Sequence, residues 1–407
     1  MPAPAVSPII TALAPLRAAA PDLQLSAVQL SSSFLTALAA VPDPRRGQGR
    51  RRALSTILAL VICAVLAGAD NYSQIAAWIA DSDEHTRHTV GAGPVMVSES
   101  AMRKTLQRLD ADAVDVVTCA WISSRDRAAA AKGQNSNRRL RVLALDGKTL
   151  RGSATRTRTC DQPGRHLLAV FDTATAIVVA QVDVGAKTNE ITRFATVLDG
   201  VNLQDAVVTA DALHAQRAHA DYLHGQRGGH YLMTVKGNQP SLYAALSGLP
   251  FDASPVQASS FDRDHGRTEE RHVKALELPD HVGDLGFAGA AQAVRIVRRR
   301  LEHSSGKLSV EVVYAITSLP AELAGVYDLA DIARAHWHVE NRLHHVRDVT
   351  FAEDACRVRT GAGPRVLASV RNLALGVLRL AGEVNIAAAR ARLARRPERP
   401  IQLLQGM

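Results

Sequence analysis

The 407-residue chain has 48 Lys and Arg against 39 Asp and Glu, which gives a formal net charge of +9 and an isoelectric point near 9.7. Its hydrophobic content of 47% excludes a disordered protein and is sufficient for a core within two or three compact units. The basic balance suits a polyanionic partner, because Lys and Arg that neutralise phosphates release counterions. Charge alone does not identify that partner, since basic proteins without nucleic-acid partners exist.

The cysteines and one apolar run bear on the cellular compartment of the protein. The four cysteines lie far apart without a CxxC pair, which disfavours a zinc ribbon or disulfide framework and suits a reducing cytosol. The run from Ala53 to Ala69 is shorter than the ~20 residues of a membrane span and contains Ser55 and Thr56. We therefore expect a buried helix and a cytoplasmic protein with no membrane partner; a membrane-anchored protein is the alternative.

The first zone of the chain, about Pro42 to Ala131, reads as helices. Ser98 is a suitable N-cap for a helix that reaches Leu109, with Met102, Leu106 and Leu109 on one apolar stripe. The other faces of this helix carry polar and basic residues, namely Arg103, Lys104 and Arg108. Such residues either read a DNA groove, as in a helix-turn-helix, or form a solvated surface.

A polar, turn-rich segment at 132–139 marks a boundary, after which strands and helices alternate. The pattern predicts a mixed α/β (α+β) fold with helices packed on a mixed sheet. The predicted strands are Leu140–Leu145, His166–Phe171, Ile177–Val184, Ala206–Ala210 and Tyr231–Val235, with later strand-like pieces His272–Leu278, Val294–Arg299 and Val310–Ile316.

Two aspartates follow predicted strands: Asp146 ends one and Asp211 ends another. Residues at the carboxyl ends of strands face the crevice where α/β folds bind ligands. If these strands are neighbours, the two carboxylates can share a hard cation such as Mg²⁺, which prefers oxygen ligands. A single Asp in such a place is more often a turn or cap residue.

A third carboxylate, Glu340, lies in a His-rich segment that we predict to be one helix. At helical spacing a single stripe would carry Ala333, His336, Glu340, His344 and Arg347. This combination suits a site for metal and phosphate, although an exposed helix with a charge pair explains it equally simply. A zinc site from His336, His338, His344 and His345 is disfavoured, because the spacing is not HExxH and no cysteine is nearby.

Six blocks together resemble a known family. LALDGKTLRGS, VVTADALHAQ, YLMTVKGNQP, HGRTEER, AHWHVENRLHHVRDVTFAEDACRVRTG and RNLALGVLRLAG occur in this order. In this order they resemble bacterial insertion-sequence transposases of the H-repeat-associated branch. The similarity begins near Asp43 and runs almost to the end of the sequence.

The resemblance implies an RNase H-like catalytic core in which Asp146, Asp211 and Glu340 form a DDE triad that binds two Mg²⁺ (or Mn²⁺) ions. Relatives often carry Tyr, Arg and Lys around the catalytic Glu, where this chain has Ala333, His336 and Arg347. Phosphate contact is therefore expected from Arg347 and His336. The implied organisation is a flexible segment 1–41, a helical DNA-end-binding domain 42–131, a catalytic domain 132–382 with a β-rich insertion at about 250–320, and a tail 383–407.

The remaining expectations concern partners. Lys148, Lys236 and Asn238 follow strand ends and are expected either to touch DNA or to be ordinary turn residues. The implied partners are double-stranded DNA, as element ends and target, and a second copy of the chain in a homodimer that holds two ends. The alternative to an active transposase is a DNA-binding regulator, or an immobile remnant, without catalysis.

Overall fold

A computed structural model describes residues 34–92, 97–132, 140–156, 161–185, 188–253, 258–264, 266–278 and 286–407. The internal contacts divide the chain into two units. The described residues of 1–125 and 351–407 form the helical unit, and the described residues of 126–350 form the sheet unit. Most of the predicted flexible segment 1–41 and of the boundary segment 132–139 lies outside the described residues.

The helices alternate with turns in the first and last parts of the chain, and the strands lie between. In chain order the helices of the described residues are α1 (Leu54–Leu66), α2 (Tyr72–Asp81), α3 (Glu84–Thr89), α4 (Glu99–Leu106), α5 (Ala111–Lys132), α6 (Glu190–Leu198), α7 (Arg217–Ala220), α8 (Pro240–Ser247), α9 (Val326–Ala335), α10 (His345–Val349), α11 (Gly363–Leu380), α12 (Ile386–Ala394) and α13 (Glu398–Gln405).

The apolar run at 53–69 forms the buried helix α1, as expected. All of its residues except Ser55 are buried, and it packs against α11 within the helical unit. A helix that is apolar on all sides is stable only when neighbours cover every face. Among the described residues, no helix combines the length and apolar character needed to cross a membrane.

The C-terminal part of the chain differs from the predicted domain limits. Residues 351–382 belong to the helical unit, and the expected tail 383–407 forms α12 and α13 with Ile386, Ile401 and Leu404 buried. Two arginines tie these segments to the unit: Arg371 donates to the Asp70 carbonyl at 2.9 Å, and Arg390 pairs with the Asp70 carboxylate at 2.8 Å. Partners so distant in sequence leave no local pattern.

The strands of the sheet unit form a nine-stranded sheet and a two-stranded ribbon. They are β1 (Arg141–Leu150), β2 (Thr155–Arg156), β3 (Asp161–Gln162), β4 (Arg165–Asp172), β5 (Ile177–Asp183), β6 (Ala206–Ala210), β7 (His230–Val235), β8 (Ala258–Asp264), β9 (Arg267–Glu277), β10 (Gln292–Glu302) and β11 (Leu308–Thr317). The large sheet has the order β5-β4-β1-β6-β7-β11-β10-β9-β8, and β2 pairs with β3.

Five strands of the large sheet have the RNase H-like arrangement. β5, β4 and β1 pair antiparallel in a meander, and β1, β6 and β7 pair parallel. The mixed sheet and the RNase H-like fold are therefore confirmed. Every residue of β6 is buried, as expected for a central strand covered on both faces.

The β-rich insertion continues this sheet. β11 pairs antiparallel with β7, and β10, β9 and β8 follow outward. Apolar residues cover both faces: Val208 belongs to one core cluster and Val207 to the other, because successive strand residues point to opposite sides.

Candidate active site

The two aspartates lie side by side on neighbouring strands. β1 pairs with β6 in parallel from Arg141 opposite Ala206 to Leu145 opposite Ala210, and Asp146 and Asp211 come next on each strand. Asp146 does not end its strand, however. β1 continues to Leu150 by antiparallel pairing with β4. The predicted strand end is therefore only the end of the parallel pairing.

Asp211 begins a tight turn after β6. Its carboxylate accepts a hydrogen bond from the backbone N–H of Leu213, 3.0 Å away. Asn238 holds the same turn, because its side-chain amide donates to the Ala212 carbonyl at 2.6 Å. The Asp211 side chain stays exposed, so the turn presents its carboxylate to solvent or a ligand.

Glu340 meets Asp146 through His344. His344 Nδ1 lies 3.2 Å from Glu340 Oε2 and 3.5 Å from Asp146 Oδ2. One ligand atom from each of these three residues lies within 4.8 Å of the others, an arrangement able to hold a metal ion. Within the described ranges it is the only such group, and it contains none of His336, His338 and His345. The arrangement does not match a four-histidine zinc site.

The predicted helical stripe is interrupted. α9 ends at Ala335, and Val339–His344 form a π turn before α10. A π turn holds more residues per turn than an α-helix, so residues seven apart no longer share a face. The Arg347 side chain is accordingly fully buried. In this structure it is not available for the phosphate contact that the stripe predicted.

His336 and Lys148 also have partners within the protein. His336 Nδ1 lies 3.0 Å from the Thr209 hydroxyl of β6, and burial lowers the pKa of this imidazole. The Lys148 ammonium lies within β1, largely buried, and donates to Asp348 at 2.6 Å. Lys148 was expected beyond a strand end as a DNA contact; it is instead an ion-paired residue of the site wall.

The remaining predicted DNA contacts are accessible. Lys236 and Asn238 are exposed in the turn after β7. In the helical unit, Arg103 and Lys104 are exposed on α4, while Met102 and Leu106 face the core as predicted. A further basic residue follows that helix: Arg108 is exposed and donates to the Pro44 carbonyl.

The electrostatics of the site favour a cation. Burial raises the pKa of the Asp146 carboxyl, and the charges of Glu190 and Asp211 add to that rise, whereas His344 opposes it. By contrast, the hydrogen bond from His344 lowers the pKa of Glu340. A divalent cation beside Asp146 would relieve the repulsion among these carboxylates.

Sequence reasoning missed Glu190, the first residue of α6. Its carboxylate accepts hydrogen bonds from His166 Nε2 at 2.7 Å and from His214 Nε2 at 3.1 Å. Burial alone would raise the pKa of Glu190, but these two imidazoles lower it to about 2. In the sequence, Glu190 is only an acidic residue in the first turn of a helix, after the N-cap Asn189. No local signal distinguishes it from other acidic residues at helix starts.

His219 supports this network and gives the protein a pH-dependent stability. Its ring stacks on Phe194 with 3.7 Å between centroids, and its nitrogens lie near the His214 and Ile191 carbonyls. Burial lowers the pKa of His219 to about 4. Between pH 7 and pH 5, His219 therefore takes up a proton in the unfolded chain but not in the folded chain. The free energy of unfolding falls as the pH is lowered.

We expect this residue to contribute about 1–2 kcal/mol of the stability lost between pH 7 and pH 5. Urea unfolding at both pH values should show a smaller difference in His219→Phe than in the unmodified protein. Equal pH dependence in the two proteins would contradict the prediction. His303, an exposed histidine, provides the matched control His303→Phe.

The chain matches known proteins over most of its length. A family model described as Transposase DDE domain matches residues 137–376, and one described as DDE_Tnp_1-associated matches residues 35–122. YncI of Escherichia coli O157:H7, named as a candidate transposase, is 27% identical over 355 residues, which cover 85% of this chain and 87% of YncI. YhhI of Escherichia coli K12, named as a candidate H repeat-associated transposase, is 28% identical over 360 residues, which cover 83% and 88%.

Among solved structures, the piggyBac transposase synaptic complex with hairpin DNA aligns at 11% identity with a TM-score of 0.40. The alignment covers 93% of this chain and 80% of that chain. The fold assignment does not depend on this likeness; it depends on the strand order of the sheet unit.

Proposed function

We propose that this chain, which belongs to the transposase DDE-domain family, cuts and joins the DNA strands of an insertion sequence by metal-dependent phosphoryl transfer. The observation that supports the proposal is that Asp146 has a second carboxylate at the end of the neighbouring strand and a third beside it. Asp146 and Asp211 follow the last paired residues of neighbouring parallel strands. Glu340 lies beside Asp146 across His344.

The residues fit a hard divalent cation. Asp146, Asp211 and Glu340 offer the carboxylate oxygens that Mg²⁺ and Mn²⁺ prefer, and the raised pKa of Asp146 marks negative charge that lacks compensation. We propose that these three carboxylates hold two such ions. When bound, the ions activate an attacking hydroxyl group and stabilise the leaving oxygen of the phosphodiester.

The protein's own groups would orient this site. The β4 ladder fixes the backbone of Asp146, and the Asn238 amide fixes the turn that carries Asp211. The Lys148–Asp348 pair lies close enough to Glu340 for the Lys148 charge to lower the pKa of that carboxyl. Together these contacts would orient the three carboxylates, as phosphoryl transfer requires.

DNA is the partner that this function requires. Lys236 and Asn238 stand exposed near the Asp211 turn and would contact the backbone of the reacting strand. Arg103, Lys104 and Arg108 would bind the element end through the helical unit. We further propose that two copies of the chain hold two element ends, and that the protein works in the cytoplasm on the nucleoid.

Gly147 offers a direct test of the space around Asp146. A Cβ added there would overlap the Glu190 carboxylate and the His166 imidazole. Gly147→Ala should displace β1 or its neighbours and lower DNA cleavage by about ten- to a hundredfold. Gly47→Ala, where no atom lies within 4 Å, is the matched control. Unchanged cleavage in Gly147→Ala would show that this close approach has no role in activity.

The proposed function is tested with purified protein and a labelled duplex that carries the DNA flanking its gene. Nicking or strand transfer at terminal inverted repeats in the presence of Mg²⁺ or Mn²⁺, and its loss with EDTA, is the expected result. Sequence-specific binding without cleavage under any metal condition would instead identify a DNA-binding protein without catalysis.

A further inference from the structure

We infer that Glu190 is a fourth carboxylate of the active site, a positioning residue whose charge strengthens cation binding by Asp146 and Asp211. This inference rests on the proposed function. Glu190 is the first residue of α6, which follows the β1–β4–β5 meander. At that position its side chain lies against both chain segments that carry Asp146 and Asp211.

The contacts of Glu190 span those segments. One carboxylate oxygen binds His166 of β4, the strand that pairs with β1 around Asp146. The other oxygen binds His214, three residues after Asp211 in the same turn. His166 is held in turn, since its Nδ1 lies 2.8 Å from the Thr149 hydroxyl of β1. A single side chain thus connects three chain segments of the site.

The approach of Glu190 to Asp146 depends on the residue between them. Gly147 follows Asp146 directly, and a side chain there would occupy the space of the Glu190 carboxylate. The negative charge of Glu190 contributes to the raised pKa of Asp146. Hydrogen bonds from the two histidines favour the ionised form of Glu190 in its half-buried place.

A fourth carboxylate changes the balance of charge at the proposed metal site. Two divalent cations bring four positive charges, and Asp146, Asp211 and Glu340 together supply three negative ones. Glu190 supplies a fourth within the same region, where His166 and His214 hold both of its oxygens by hydrogen bonds. A nearby negative charge in a poorly hydrated site attracts a divalent ion strongly.

The test measures Mn²⁺ binding to the full chain, by the loss of the free-ion electron paramagnetic resonance signal. Glu190→Gln keeps the shape but removes the charge, and should weaken Mn²⁺ binding by about tenfold or more. It should also raise the Mn²⁺ concentration needed for half-maximal cleavage. Glu190→Asp keeps the charge and should bind Mn²⁺ more tightly than Glu190→Gln. Glu322→Gln, the same change at an exposed residue of the sheet unit, should bind as the unmodified protein does.

Mn²⁺ affinity in Glu190→Gln equal to that of the unmodified protein would overturn the inference, as would equal losses in Glu190→Asp and Glu190→Gln. Circular dichroism checks folding. If Glu190→Gln does not fold, Glu190→Asp decides the matter, and a loss as severe as that of Asp146→Asn refutes a role of charge. If the unmodified protein neither binds Mn²⁺ nor cleaves DNA, the proposed function itself fails, which is a different result.

Discussion

Asp146→Asn is expected to lower metal-dependent DNA cleavage by roughly three orders of magnitude, and Asp211→Asn and Glu340→Gln by similar factors. Each change keeps the size of the side chain but removes a charge that would hold a cation. Metal ions stabilise the charge of a phosphoryl-transfer transition state by several kcal/mol, and each 1.36 kcal/mol is tenfold in rate. The measurement is single-turnover cleavage of a labelled element end.

Asp205→Asn is the matched control for this series. Asp205 is exposed just before β6, at the end of that strand opposite Asp211, and its φ of 54° is a conformation that Asn adopts readily. The control should cleave at the normal rate. All variants should still bind the element end in a gel-shift assay, since the binding proposed for the helical unit does not use the triad. Full cleavage by any one of the three variants would remove that residue from the assignment.

The largest stability effect is expected at Glu353, which follows the His-rich segment. Its carboxylate is buried and pairs with the buried guanidinium of Arg371 at 3.2 Å. Glu353→Gln would leave the Arg371 charge buried without its counter-charge. Removal of one partner from a buried pair costs about 3–5 kcal/mol, and the free energy of unfolding in urea should fall by that amount.

Two comparisons give this prediction its specificity. The double variant Glu353→Leu with Arg371→Met removes both charges and should cost much less than the single change. Glu383→Gln breaks a solvent-accessible pair with Arg392 and should cost much less than Glu353→Gln, because solvent screens such pairs. Unfolding can be followed by tryptophan fluorescence, because Trp78 and Trp121 lie in the helical unit. A loss for Glu353→Gln as small as that for Glu383→Gln would show that the buried pair contributes little.

The sheet and the two aspartates could be predicted because their signals are local. Five short apolar runs gave the central strands, and a carboxylate directly after two of them gave Asp146 and Asp211. β1 was nevertheless predicted too short, because its second half contains Gly147 and Lys148 and is held only by pairing with β4. The apolar content of a segment indicates burial, but it does not reveal a strand that pairs with a neighbour on one side only.

The parts that could not be predicted depend on contacts between distant residues. Glu190 acquires its role from His166 and His214, each 24 residues away. The π turn at Val339–His344 shifts the register of the helix without changing its composition, and so Arg347 was expected on the surface and lies in the interior. The first case requires tertiary structure, and the second requires the backbone hydrogen-bonding pattern.

The division of the helical unit between the two ends of the sequence has a consequence for how the chain is made. α1 is almost wholly buried, and its partner α11 follows roughly 300 residues later. At ribosomal rates of about 5–20 residues per second, α1 waits roughly 15–60 s for that partner. The sheet unit, by contrast, is continuous in sequence and can close as soon as residue 350 has emerged. During synthesis α1 is therefore exposed to chaperones and to aggregation until α11 has emerged. A ribosome that stalls between residues 126 and 350 would carry an unfinished helical unit.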